Sequence, residues 1–117
     1  IFRSSPGECM YRKMEAARDA GLWLLLNIQS DDNHACEDLD RDVWENELVM
    51  NLVQQGFLFW QVMNDSDDVS NYINMQNVKE YPHVAIIDPR SGRTLWRREG
   101  WTRALPLTPG IIIDSMS

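Results

Sequence analysis

The chain has 117 residues, 44% of them apolar and 25% charged, with a formal net charge of −7. One folded domain over residues 1–117 follows, long enough to bury roughly two thirds of its unfolded surface without disulfides or metals. The acidic balance argues against nucleic-acid binding, which needs a dominant basic surface.

Five tryptophans point to a well-filled core and away from disorder. Only Cys9 and Cys36 are present, both in segments of helical pattern, so the disulfide framework of small secreted domains is missing and a reducing compartment is expected. The longest apolar run is far short of a membrane span and the first ten residues lack the pattern of a signal peptide, which predicts a soluble, untargeted chain.

In chain order, Ile1 to Arg3 is an entry segment, and Pro6-Gly7 marks a boundary. Glu8 to Ala20 carries Met10, Met14 and Ala17 in a helical rhythm that Gly21 stops. Leu22 to Ile28 is a near-continuous apolar run, the pattern of a central strand covered on both faces. Residues 29–33 are polar, and Cys36, Leu39 and Val43 then recur at helical spacing up to Trp44. Asn46 is placed to cap a second helical piece with Leu48, Val49, Leu52 and Val53 as its apolar face, so a kink or break is expected near Glu45. Phe57 to Val62 reads as a second buried strand, parallel to the first, in a right-handed βαβ unit.

Asp65 or Ser66 caps a further helix through Val69, Tyr72, Ile73 and Gln76. Tyr81-Pro82 precedes a strand from Val84 to Asp88, the run from Asp88 to Gly92 supplies a turn, and Thr94 to Arg97 returns as the fourth strand. Thr108-Pro109 resembles the start of a last helix over Gly110 to Met116. This order predicts an α/β protein of thioredoxin-like fold. It has a four-stranded mixed sheet in the order second, first, third, fourth, an added N-terminal helix, and the last two strands antiparallel to the first. In that fold Tyr81-Pro82 is expected to be cis and to face the cysteine loop.

Cys36 lies in the first turn of the helix that leaves the first strand, where a helix N-terminus stabilises a thiolate and where thioredoxin-like proteins hold a Cys-x-x-Cys pair. Here the four residues are Asn33, His34, Ala35 and Cys36, so asparagine stands where the exposed nucleophile belongs. One sulfur cannot run a local dithiol cycle. Two readings of Cys36 follow, a reactive or regulatory thiol and a buried residue packed beneath the loop, and the second is preferred. Asn33, Cys36 and Pro82 are then vestigial redox-motif positions.

With the run from Cys36 to Glu47 in view, the chain resembles the UAS domain, a thioredoxin-like module of UBX-domain adaptors of the AAA ATPase Cdc48, or valosin-containing protein. The resemblance also rests on Ile1-Phe2-Arg3, Leu26-Asn27-Ile28-Gln29, Phe57-Leu58-Phe59-Trp60-Gln61-Val62, Tyr81-Pro82-His83-Val84 and Asp88-Pro89-Arg90-Ser91-Gly92. The C-terminus departs from the family pattern: residues 105–117 are short and contain Pro106, Pro109 and Gly110. The resemblance implies protein partners in the ubiquitin and AAA ATPase pathway, a cytoplasmic or nuclear location, and ubiquitin-associated and UBX modules elsewhere in the protein. One branch of the family is associated with long-chain unsaturated fatty acids, which makes a fatty acid an alternative ligand.

Other constellations have plainer readings. His34, Cys36 and His83 lack a further ligand at a zinc-like spacing, so no metal or other cofactor is expected. Asp65-Ser66-Asp67-Asp68 begins like a calcium loop but has Ser70 where glycine is required and Gln76 where the bidentate glutamate belongs, so a capped helix start is expected. The acidic stretch from Asp31 to Glu47 reads as a solvated helix face. Arg90, Arg93, Trp96, Arg97 and Arg98 form either an interaction surface or an edge hairpin protected by charge. The sequence thus predicts a non-catalytic interaction module, against a thiol oxidoreductase or sensor using Cys36 and a fatty-acid-responsive binding module.

Overall fold

The computed structural model describes residues 10–100 apart from residue 32. The expectations for Ile1–Arg3, Cys9 and the last helix lie outside the described residues.

Helix α1 (Met10–Ala20) ends on Gly21, whose φ of +71° lets Leu22 N–H turn back to the Ala17 carbonyl at 2.8 Å. Strand β1 (Trp23–Gln29) follows, and only Trp23 of its seven residues is exposed. Helix α2 (His34–Leu39) runs into a π-helical turn over Asp40–Trp44, closed by Glu45 N–H to the Asp40 carbonyl at 2.8 Å. That turn is the form taken by the expected break. Helix α3 (Glu47–Gly56) restarts on Asn46, whose Oδ1 accepts from Leu48 and Val49 N–H at 3.0 and 3.2 Å. Strand β2 (Phe57–Met63), a 3₁₀ turn (Asp67–Val69), helix α4 (Ser70–Gln76) and strands β3 (His83–Ile87) and β4 (Thr94–Glu99) complete the order. None of the described helices is long and apolar enough to cross a membrane.

The sheet order is β2-β1-β3-β4, as expected. Strand β1 pairs in parallel with β2, Leu26 opposite Trp60, and antiparallel with β3, Leu26 opposite Ala85. One expectation is corrected. Strand β4 is antiparallel to β3 and therefore runs parallel to β1, because β3 is itself antiparallel to β1 and two reversals of direction restore the first.

Alternation along the strands sends side chains to two cores. Leu25, Val84 and Ile86 meet Leu39, Val43, Trp44, Val49, Met50 and Val53 under α2 and α3. Leu24, Leu26, Ile28, Ala85 and Ile87 meet Ala17, Trp60, Val62, Val69 and Tyr72 under α1 and α4.

The Asn46 cap gives a first expected result. Asn46→Ala should lower stability by about 1 kcal/mol by orphaning two helix N–H groups, whereas Asn46→Asp should be close to neutral. The check is the urea midpoint at unchanged slope; equal midpoints for Asn46→Ala and wild type would show that the cap contributes nothing.

Candidate active-site remnant and its neighbours

Where thioredoxin-type chemistry would sit, Asn33 acts as a tie between two elements. Its backbone is extended (φ −119°, ψ 112°), its Oδ1 accepts from Ala35 N–H at 2.8 Å, and its Nδ2 donates to the Tyr81 carbonyl at 2.7 Å. Both polar ends of the amide are engaged in holding the start of α2 against the entry to β3. The Tyr81-Pro82 bond is cis and faces this loop, as expected.

Cys36 is 2% exposed. Its Sγ accepts from Ser30 N–H at 3.4 Å, beneath the loop. The sulfur therefore lacks the access that nucleophilic exchange requires. Its separation from Cys9 lies outside the described residues.

His34, by contrast, is almost fully exposed beside Glu37, while His83 is completely buried on β3. Among the described residues no group of three His, Cys, Asp or Glu side chains is placed to hold a metal ion. At the supposed calcium loop, Ser66 Oγ accepts from Asp68 N–H at 3.2 Å and the 3₁₀ turn begins there, as a capped helix start should. In the acidic stretch, Arg41 pairs with Asp38 at 2.8 Å and with Asp42 at 3.0 Å.

The arginines do not form one surface. Arg90 and Arg93 are exposed at the hairpin turn, and Arg90 lines a cavity of about 210 Å³ with Arg18, Trp23 and Asp88. Trp96 packs on the core under α2 and α3, and Arg98 alternates onto that same face. Arg97 lies on the opposite face, donating to the Gln76 carbonyl at 2.8 Å and pairing with Glu99. The period-2 alternation of β4 thus divides the linear cluster between the two faces of the sheet.

Two buried polar groupings escaped the sequence reading. In the first, Asn27 Oδ1 accepts from Gln29 Nε2 at 3.0 Å, Gln61 Nε2 at 3.0 Å and Trp44 Nε1 at 3.1 Å, while Asn27 Nδ2 donates to the His83 carbonyl at 3.2 Å. Both glutamine amides also reach Asp40 Oδ1, at 2.8 and 2.7 Å. The π-helical turn carries Asp40 and Trp44 at its two ends, so the unusual helix geometry and the network share the same residues. The signal was present in the sequence, since Asn27, Gln29 and Gln61 interrupt otherwise apolar strands and Asn27 pairs directly with Gln61.

In the second, His83 Nε2 lies 2.7 Å from the Tyr72 hydroxyl and Nδ1 lies 3.4 Å from Glu99 Oε1, without hydrogen-bond geometry. Glu99 is held by Arg97. Burial, reinforced by the Arg97 charge and opposed by Glu99, pushes His83 down to about 4. The neutral ring thus accepts from Tyr72, whose hydroxyl burial pushes up to about 12.

A family model described as thioredoxin-like matches residues 10–89. The chain belongs to the thioredoxin-like family. Solved thioredoxins agree in fold: one from Thermus thermophilus superposes with a TM-score of 0.73 at 16% identity, covering 92% of this chain and 82% of that one. A poplar thioredoxin h gives 0.62 at 14% identity, covering 90% and 83%.

Closer in sequence to this thioredoxin-like chain are proteins named for another module. UBX domain-containing protein 2 of Schizosaccharomyces pombe is 33% identical over 95 residues, 81% of this chain and 21% of its own length. The UBX domain-containing protein 7 homolog of Dictyostelium discoideum is 34% identical over 82 residues, 70% of this chain and 16% of its own length. The resemblance to the UAS domain of UBX proteins is borne out by these relatives, of whose length the thioredoxin-like chain spans about a fifth.

Proposed function

We propose that the chain is a non-catalytic protein-interaction and scaffold module of a UBX-type adaptor. It works with the Cdc48-type AAA ATPase in ubiquitin-dependent protein degradation, in the cytoplasm, the nucleus or both. The observation that carries this reading is Asn33: the position of the attacking thiol holds an amide engaged at both ends, above a buried Cys36. The similarity to UBX domain-containing proteins supports the adaptor context.

A thiol oxidoreductase needs an exposed thiolate and a nearby resolving thiol, and among the described residues Cys36 is buried and is the single cysteine. The fatty-acid reading draws no support from the geometry of this site.

The test is reduction of an insulin disulfide by wild type, Cys36→Ser and Asn33→Cys. Wild type and Cys36→Ser should not exceed the rate of free thiol, and Cys36 should alkylate slowly until the protein is unfolded. Asn33→Cys supplies an attacking thiol at the helix N-terminus and should gain turnover. Wild-type turnover that disappears in Cys36→Ser overturns the non-catalytic reading.

A further inference from the structure

On the sheet face opposite Asn27, α1 and α4 leave between them a groove of about 380 Å³. Met10, Tyr11 and Met14 line it from α1, and Tyr72 and Met75 from α4. Gly92 of the hairpin turn also lines it, with Met14 Sδ 4.0 Å from where its Cβ would stand. Helical spacing explains the lining: residues 10, 11 and 14 share one stripe of α1, and residues 68, 71, 72, 75 and 76 share one stripe of the 3₁₀ turn and α4.

The two sides of the groove differ from ordinary core. Met10 and Met14 are half-buried against the core, but Tyr11 is 61% and Met75 81% exposed. Unbranched, polarizable methionines on a solvent-facing wall suit a surface that adapts to an incoming apolar side chain. Among the described residues the charge there has one sign: Asp67 and Asp68 line the groove, no lysine or arginine does, and neither carboxylate forms a salt bridge.

We propose that this groove docks a short peptide segment of a partner protein, apolar side chains on the methionine wall and flanking lysine or arginine against Asp67 and Asp68. The proposal rests on the interaction-module reading and gives that module a surface and a partner chemistry. The net charge of −7 adds long-range attraction for such a segment and repels an acidic one.

The probe is a fluorescein-labelled peptide with a central leucine pair flanked by lysines, titrated by anisotropy against the 117-residue chain, beside the same peptide flanked by glutamates. The lysine peptide should bind, more weakly as salt rises, and the glutamate peptide should not. Met75→Glu and the pair Asp67→Lys/Asp68→Lys should each weaken binding at least about tenfold. All three positions are at or near the surface, and circular dichroism and the urea midpoint confirm that the variants fold.

Absence of lysine-peptide binding, equal binding of both peptides, or affinity unchanged in the variants overturns the proposal. So does sedimentation showing a wild-type dimer that Met75→Glu dissociates, since a second copy then fills the groove. A gain in peptide affinity on deleting residues 1–9 overturns it in favour of the chain's own terminal segment as occupant. None of these outcomes touches the insulin assay, whereas turnover through Cys36 sinks the non-catalytic module and leaves the titration intact.

Discussion

Asn27→Ala is expected to lower the unfolding free energy by about 3 to 4 kcal/mol, a loss in the upper range for a single substitution. Asn27 is fully buried on β1, and its amide is the hub at which β2, the π-helical turn and β3 meet. Truncation removes the acceptor of three hydrogen bonds. The glutamine amides retain Asp40, so they are not orphaned; Trp44 Nε1 and the Asn27-side bond of the His83 carbonyl are. A buried polar atom left without its partner costs about 1 to 3 kcal/mol, and the small cavity adds to it.

The distinguishing result is non-additivity. Trp44→Phe removes the very N–H that Asn27→Ala leaves stranded, so the double variant should cost less than the sum of the two singles by about 1 to 2 kcal/mol. Urea unfolding of the four proteins measures this. Strict additivity, or a loss below about 1 kcal/mol for Asn27→Ala, would mean that the network fills space without specifying anything.

The second large effect is on acid stability. His83 has an ordinary value of 6.5 and is held at about 4 in the fold, so the folded state binds its proton less well than the unfolded state. The sign follows: this contribution is fully present above pH 6.5 and is lost as pH falls from 6.5 through 4, amounting to about 3 kcal/mol. The groups facing the ring are the Tyr72 hydroxyl from α4 and Glu99 and Arg97 from β4, and protonation removes the acceptor of the Tyr72 hydrogen bond.

Stability followed by urea titration from pH 7.5 to 5 should fall in wild type with this slope, and a His83→Gln variant should lose most of it. Restricting the comparison to that range keeps it above the ordinary carboxylate values. At the other extreme, Tyr72 raised from 10 to about 12 contributes stability that is present below pH 10 and lost as pH rises through 12. Acid and alkaline limbs would thus both report on the burial of this one pair of side chains. A His83→Gln protein with the wild-type slope between pH 7.5 and 5 would remove His83 from the account.

Much of this protein was legible in one dimension because the signals are local. The continuous apolar run of β1 announced a buried strand, since a strand covered on both faces has no polar side to show, while the similar run of β2 belongs to an edge strand that is buried only over Trp60–Val62. Asn46 and Ser66 announced helix starts, because a side-chain oxygen two or three residues before a free N–H is a matter of short-range geometry. Asn33-His34-Ala35-Cys36 already held the decisive chemical fact, one sulfur where a dithiol cycle needs two.

What only the tertiary structure decided depends on which face a side chain takes and what crosses the sheet to meet it. The alternation of β4 sends Arg97 and Arg98 to opposite sides of the sheet, which the linear run of arginines does not record. His83 gave no local sign of its partners, which are Tyr72, eleven residues earlier, and Glu99, across the β3–β4 pairing. Asn27, Gln29, Gln61, Asp40 and Trp44 become one network only when β1 and β2 pair in register and a π-helical turn swings above them. Hydrogen bonds between residues far apart in sequence form where folding has excluded water, and no local pattern records which buried amide will find which partner.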